Sequence, residues 1–190
     1  MILFVNACVR ASSRTKRLAD RLLAGLGGPV REVRLGEISF PKADAAFLSW
    51  RDECIQKGDY SDPGFDLAKD FAAAEEIVLA APYWDLSFPS SVKAYLEQIT
   101  VTGLTFSYGE DGRPVSHCRA KRLYYVMTAG GPILPPNHGY AYVRDLAGTF
   151  FGISDVPLFS AELLDVVGMD VEAILEEAER KIDEWKRGID

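Results

Sequence analysis

The chain has 190 residues, 48% hydrophobic and 26% charged, and we expect residues 1–190 to form one domain with a proper core. A formal net charge of -7 argues against nucleic acid as a partner, because neutralising phosphates requires a basic face. No apolar run approaches the roughly 20 residues of a membrane span, and the chain starts inside a strand-like segment rather than a leader, so a cytoplasmic setting away from membranes is expected.

Met1–Val5 is short and apolar, a buried strand. The loop after it carries Arg10, Ser12, Ser13, Arg14 and Thr15, and runs into a helix over Ser13–Leu26 with Leu18, Leu22, Leu23 and Leu26 on one face. A helix start offers free N–H groups and the positive end of a dipole, which suits a phosphate. Plain N-capping by Ser12 or Ser13 accounts for the same hydroxyls, and the loop alone does not decide between the two. Gly27–Gly28–Pro29 stop the helix, and Val30–Leu35 alternates as a strand exposed on one side. Gly36–Gly64 is long and mixed, with a short helix at Ala43–Trp50 and a loop at Lys57–Gly64.

Phe65–Ala74 reads as a helix, and the unbroken apolar run Ile77–Ala81 as a central strand covered on both faces. The aromatic stretch Pro82–Pro89 leads into a helix with Val92, Tyr95, Leu96 and Ile99 on one face. Leu104–Tyr108 and Arg113–Val115 flank Gly109–Gly112 as a small hairpin. Leu123–Thr128 is another buried strand, ended by Ala129–Gly130–Gly131–Pro132. Tyr140–Phe151 is helical and stopped by Gly152, and Val156–Phe159 fits a last strand. The closing helix carries Val171, Ile174, Leu175, Ala178, Ile182, Trp185 and Ile189 on one face, with acids at its start and Lys186 and Arg187 at its end.

Strand–helix alternation of this kind gives an α/β fold: a flavodoxin-like three-layer α/β/α sandwich around a five-stranded parallel sheet of order 2-1-3-4-5. In such a sheet, ligands bind outside the carboxyl ends of the strands. The three unusual loops, hydroxyl-rich, aromatic and glycine-paired, all fall there, and together they suit a flavin mononucleotide (FMN). The first loop would take the phosphate, with Arg10 adding charge. Tyr83, Trp84 and Leu86 would lie along the ring, backbone amides after Pro82 would reach its polar edge, and Gly130 and Gly131 would let the backbone approach closely. No G-x-G-x-x-G or P-loop motif follows the first strand. Metal clusters are absent from the sequence pattern, and Cys8, Cys54 and Cys118 form no C-x-x-C pair. Neither histidine sits in a nucleophile motif. His138 and Tyr140 are candidates for a substrate pocket, with a surface histidine as the plainer reading of the former.

The chain resembles the flavodoxin-like NAD(P)H-dependent oxidoreductases, the group of FMN-dependent NADH-azoreductases and quinone reductases. The resemblance lies in Ser13–Arg14–Thr15, Pro82–Leu96, Gly103–Tyr108, Thr128–Gly131 and Gly152–Asp155, with the second segment the most specific. It implies a homodimer with FMN near the interface and ping-pong hydride transfer from NADH or NADPH to small-molecule electron acceptors: quinone, azo or nitroaromatic compounds. It also implies phosphate contacts at Ser13, Arg14 and Thr15, and ring contacts at Pro82, Tyr83, Trp84, Asp85, Leu86, Thr128, Gly130 and Gly131. Azoreductases often carry asparagine where Asp85 stands. A carboxylate there opposes the charge of a reduced flavin unless Asp85 contributes only backbone. The proline-heavy loop Pro132–Asn137 and the aromatic insertion Phe40–Asp62 are expected to shape the acceptor pocket, and Phe47, Trp50 and Phe106 are candidates for an exposed interface. An electron carrier of the flavodoxin type and a flavin-free regulatory relative are the competing readings.

Overall fold

The computed structural model describes residues 1–188, so Ile189, the last member of the closing helical repeat, lies outside the described residues. Five strands form the main sheet: β1 (Ile2–Asn6), β2 (Val30–Arg34), β3 (Glu76–Ala80), β6 (Arg122–Thr128) and β7 (Leu158–Ala161). They run parallel in the order β2-β1-β3-β6-β7. The remaining strands, β4 (Phe106–Tyr108) and β5 (Pro114–Ser116), pair only with each other in the hairpin between β3 and β6. Counting the main strands alone, the order is the expected 2-1-3-4-5.

The central strands β1, β3 and β6 are buried on both faces because their alternate residues serve two cores. Leu3, Val5, Ile77, Leu79, Leu123, Tyr125 and Met127 face α3 (Asp66–Ala73), α4 (Ser90–Ile99) and α5 (His138–Phe150). Ile2, Phe4, Val78, Ala80, Tyr124 and Val126 face α1 (Arg14–Leu26) and α6 (Val171–Arg187). Each fully buried large side chain contributes about 1.5–3 kcal/mol, so these two layers hold the fold.

Three segments differ from the sequence expectation. The helix of the long insertion, α2 (Ala45–Lys57), runs a further two turns and is capped by Gly58, at φ 64°, whose N–H reaches the carbonyls of Cys54 and Ile55. It has no fully buried residue, so no apolar stripe marked its extent. The last strand starts at Leu158 rather than Val156. The aromatic set suggested as an exposed interface is largely packed. Phe106 is buried with its edge on Phe150, 4.8 Å between ring centres, and Trp50 stacks on Phe65 at 5.1 Å.

Candidate functional site

The register aligns the carboxyl ends of four strands. Asn6 pairs with Ala80, Ala80 with Val126 and Thr128 with Ala161, so the loops after β1, β3, β6 and β7 leave one edge side by side. They enclose a cleft of about 490 Å³.

The β1–α1 loop is shaped by local hydrogen bonds. The buried Asn6 accepts the Cys8 N–H through Oδ1 (2.8 Å), and its Nδ2 donates to Glu32 (2.8 Å). Ser13 caps α1 by accepting the Lys16 N–H at 3.2 Å, so N-capping is one of its roles. The same residue lines the cleft, where the first turn of α1 starts, so capping and ligand contact are compatible. Thr15 is buried, and its hydroxyl meets that of Thr128 at 2.6 Å, tying the first loop to the end of β6. Arg10 is exposed at the cleft and enters no ion pair among the described residues. Cys8 is half-buried, and burial pushes its thiol above the ordinary value, so it stays protonated near neutral pH.

After β3, Tyr83 N–H donates to the Thr128 carbonyl (3.0 Å), extending the sheet by one step. Trp84 and Ser87 then exchange both backbone hydrogen bonds, at 3.2 and 2.8 Å, closing a two-residue turn over Asp85 and Leu86. Both turn residues have positive φ, 51° and 65°. Aspartate tolerates that region, whereas leucine rarely enters it. Among the described residues, the amides of Asp85, Leu86, Gly130 and Gly131 donate to nothing within the chain. The Asp85 carboxylate is exposed, and what the turn offers the edge is backbone.

Of the residues singled out in the sequence, Arg10, Ser13, Arg14, Thr15, Pro82, Tyr83, Trp84, Thr128 and Gly130 line the cleft together. Asp85, Leu86 and Gly131 adjoin it in the chain without lining it. Tyr140 is turned into the fold: its hydroxyl donates to the Val156 carbonyl at 2.7 Å and its ring packs against Tyr125. His138 opens α5 and lines a separate depression with Ser87, Phe88, Lys93 and Tyr142. No residue of Phe40–Asp62 or Pro132–Asn137 lines the cleft.

Sequence reasoning missed Leu164 and Asp165. They lie in the loop after β7, and Arg14 Nη1 donates to the Leu164 carbonyl (3.0 Å) and to Asp165 Oδ1 (2.7 Å). Nothing local in the sequence marks this aspartate, since its place depends on pairing between β6 and β7. Among the described residues, no group of three or more His, Cys, Asp or Glu is arranged to hold a metal ion, and no helix is long and apolar enough to cross a membrane.

Residues 1–185 match the family model described as flavodoxin-like fold. The chain belongs to this flavodoxin-like family. Among curated members it is 43% identical over 181 residues to FMN-dependent NADH:quinone oxidoreductase 2 of Clostridium acetobutylicum, covering 90% of this chain and 88% of that one. It is 33% identical to the FMN-dependent NADH:quinone oxidoreductase of Coprothermobacter proteolyticus, over 96% of each chain. Among solved structures it superposes on a FMN-dependent NADH-azoreductase from Bacillus anthracis, determined in complex with FMN, with a TM-score of 0.81. That match covers 99% of this chain and 98% of the other at 20% identity, a likeness of fold.

Proposed function

We propose that the protein is an FMN-dependent NADH:quinone oxidoreductase. The observation that carries this reading is the convergence of the hydroxyl-rich, aromatic and glycine loops on one cleft, in a chain whose curated relatives bear that name along nearly their whole length. The residues present fit the cofactor. Arg10, the hydroxyls of Ser12 and Ser13, and the amides opening α1 form a phosphate-binding end. The aromatic Tyr83 and Trp84 and the unpartnered amides of Asp85, Leu86, Gly130 and Gly131 suit a flat ring with a polar edge. Aspartate at position 85 is accounted for by its left-handed backbone and free amide, with no need for its carboxylate to meet the ring.

FMN, when bound, supplies the two-electron chemistry that links NADH oxidation to quinone reduction. The chain's part is to bind and orient. The β1–α1 loop anchors the charged end, and the Thr15–Thr128 bond keeps that anchor in register with the glycine loop. Trp84, which lines the cleft and is 41% exposed, and Leu86, which follows it in the turn and is 54% exposed, would give an apolar border to the opening. One cleft serving reductant and acceptor in turn makes the kinetics ping-pong. A homodimer belongs to the same proposal: Tyr142, beside Ser87 and Phe88 at the start of α5, and Trp84, Leu86 and Leu134 in the loops that precede Ser87 and α5 in the chain expose apolar surface. So does a cytoplasmic setting, where NADH is supplied.

The test is the visible spectrum of the purified protein after FMN addition and gel filtration, then after anaerobic NADH. The expected result is a retained flavin band that NADH bleaches and a quinone restores. A retained band that NADH leaves untouched but NADPH bleaches points to NADPH as the reductant, and one that neither bleaches points to an electron carrier. Failure to retain FMN overturns the reading.

A further inference from the structure

Asp165 is the one carboxylate among the described residues that line the cleft, and the fold places it there firmly. Three successive backbone hydrogen bonds clamp its loop to the glycine loop: Leu163 N–H to Gly131 O (3.1 Å), Leu164 N–H to Ala129 O (3.2 Å) and Asp165 N–H to Gly130 O (2.8 Å). Leu163 takes φ 67° to make this connection. The carboxylate lies so close over Gly130 that a methyl group there would overlap Asp165 Oδ2. On its other side it accepts from Arg14 Nη1 at 2.7 Å.

The two hydrogens of Arg14 Nη1 are thus committed, one to the Leu164 carbonyl and one to Asp165. The pair contributes little to the fold, because the side chains are 39% and 70% exposed and water screens them. Its position in the cleft is the informative feature. Arg14 adds to the cation that Arg10 offers a phosphate at the start of α1, and such a phosphate competes with the Asp165 carboxylate, whose backbone is clamped beside it, for the guanidinium charge.

We propose that Asp165 is a specificity-determining residue, an internal anion that holds Arg14 until the phosphate of the cofactor displaces it. Asp165 thereby lowers the cleft's preference for a phosphorylated over an unphosphorylated flavin by the strength of the pair that the phosphate must break. This rests on the FMN reading above. No covalent step is involved.

The test is a titration of apoprotein with FMN and with riboflavin, followed by quenching of flavin fluorescence. Asp165→Asn should bind FMN about threefold to fivefold more tightly, the size of one exposed ion pair, and riboflavin unchanged. Glu176→Gln, a remote exposed carboxylate, should change neither, which controls for net charge. In an Arg14→Gln background, Asp165→Asn should have no effect on FMN. Unchanged or weaker FMN binding by Asp165→Asn overturns the proposal. So does equal tightening of riboflavin, or an effect that survives in Arg14→Gln. If the wild-type protein binds neither flavin, the FMN reading has failed. Thermal shift with inorganic phosphate then still decides the role of Asp165, because the anion exchange predicts tighter phosphate binding by Asp165→Asn and an unchanged response overturns it.

Discussion

Among the described residues, the hydroxyls of Tyr83 and Tyr95 are buried without a hydrogen-bond partner. Tyr95 is the sharper case: its ring packs against Phe71 in the core, and burial drives its phenol far above the ordinary value. A buried donor without a partner costs about 1–3 kcal/mol relative to a satisfied one. Tyr95→Phe keeps the ring and removes the orphan, so it should stabilise the protein by about 1 kcal/mol. Urea denaturation checks this as a higher midpoint at an unchanged slope. At this scale the sequence was legible where residue type and position coincide. Ser13, Arg14 and Thr15 stood out by residue type at a strand–helix junction, and all three line the cleft, although Ser13 also caps α1, as the plainer reading has it. Asp165 did not stand out, because one acid among 28 acquires meaning only through the carbonyl of Gly130 and the guanidinium of Arg14.

Among the elements, α1 and α6 show how a pair of amphipathic helices is held. Leu18, Ala19 and Leu22 on one, and Leu175, Ala178 and Ile182 on the other, pack into the same core. Their polar margins are laced by Arg17 to Glu172 (2.6 Å) and Glu179 (2.7 Å), and by Arg21 to Asp183 (2.5 Å). The hydrogen bond from Arg17 lowers the pKa of Glu172, and that from Arg21 lowers the pKa of Asp183. A carboxylate with a depressed folded-state pKa stabilises the fold above its ordinary value, 4.5 for Glu and 3.8 for Asp, and that stability is lost as pH falls through the folded-state pKa. The melting temperature should therefore drop on acidification below about pH 4.5, and less steeply in the Glu172→Gln/Asp183→Asn variant. High salt should shrink the difference between the two, because the pairs are exposed. Calorimetry across pH reads both effects. These helices were legible because their 3.6-residue repeat has a wet side and a dry side. The helix Ala45–Lys57 lacks a fully buried residue, and its length was correspondingly obscure.

For the whole molecule, the sheet was readable because β1, β3 and β6 are covered on both faces and so appear as unbroken apolar runs. The topology followed from parallel alternation and right-handed crossovers. What stayed hidden is the contribution of the loop after β7, which joins the site only through register. Because the cleft draws on loops from four strands, ligand binding should couple to global stability. Saturation with FMN at roughly 100 times its Kd should add about 2.7 kcal/mol, or about 5–10 °C in melting temperature for a chain of this size. Riboflavin at the same concentration should add less. Differential scanning fluorimetry with the two ligands measures this.

The turn at Asp85 and Leu86 sets a limit on how this protein can be improved. Two consecutive left-handed residues are best served by asparagine and glycine, so a screen for heat resistance will favour replacing the leucine. On the proposed reading of the turn, that replacement removes apolar surface beside the cleft, while Leu86, more than half exposed, gives the core nothing in return. If the proposed border holds, robustness and turnover are opposed at this one turn, and variants selected for endurance alone should drift toward a sturdier protein and a poorer catalyst.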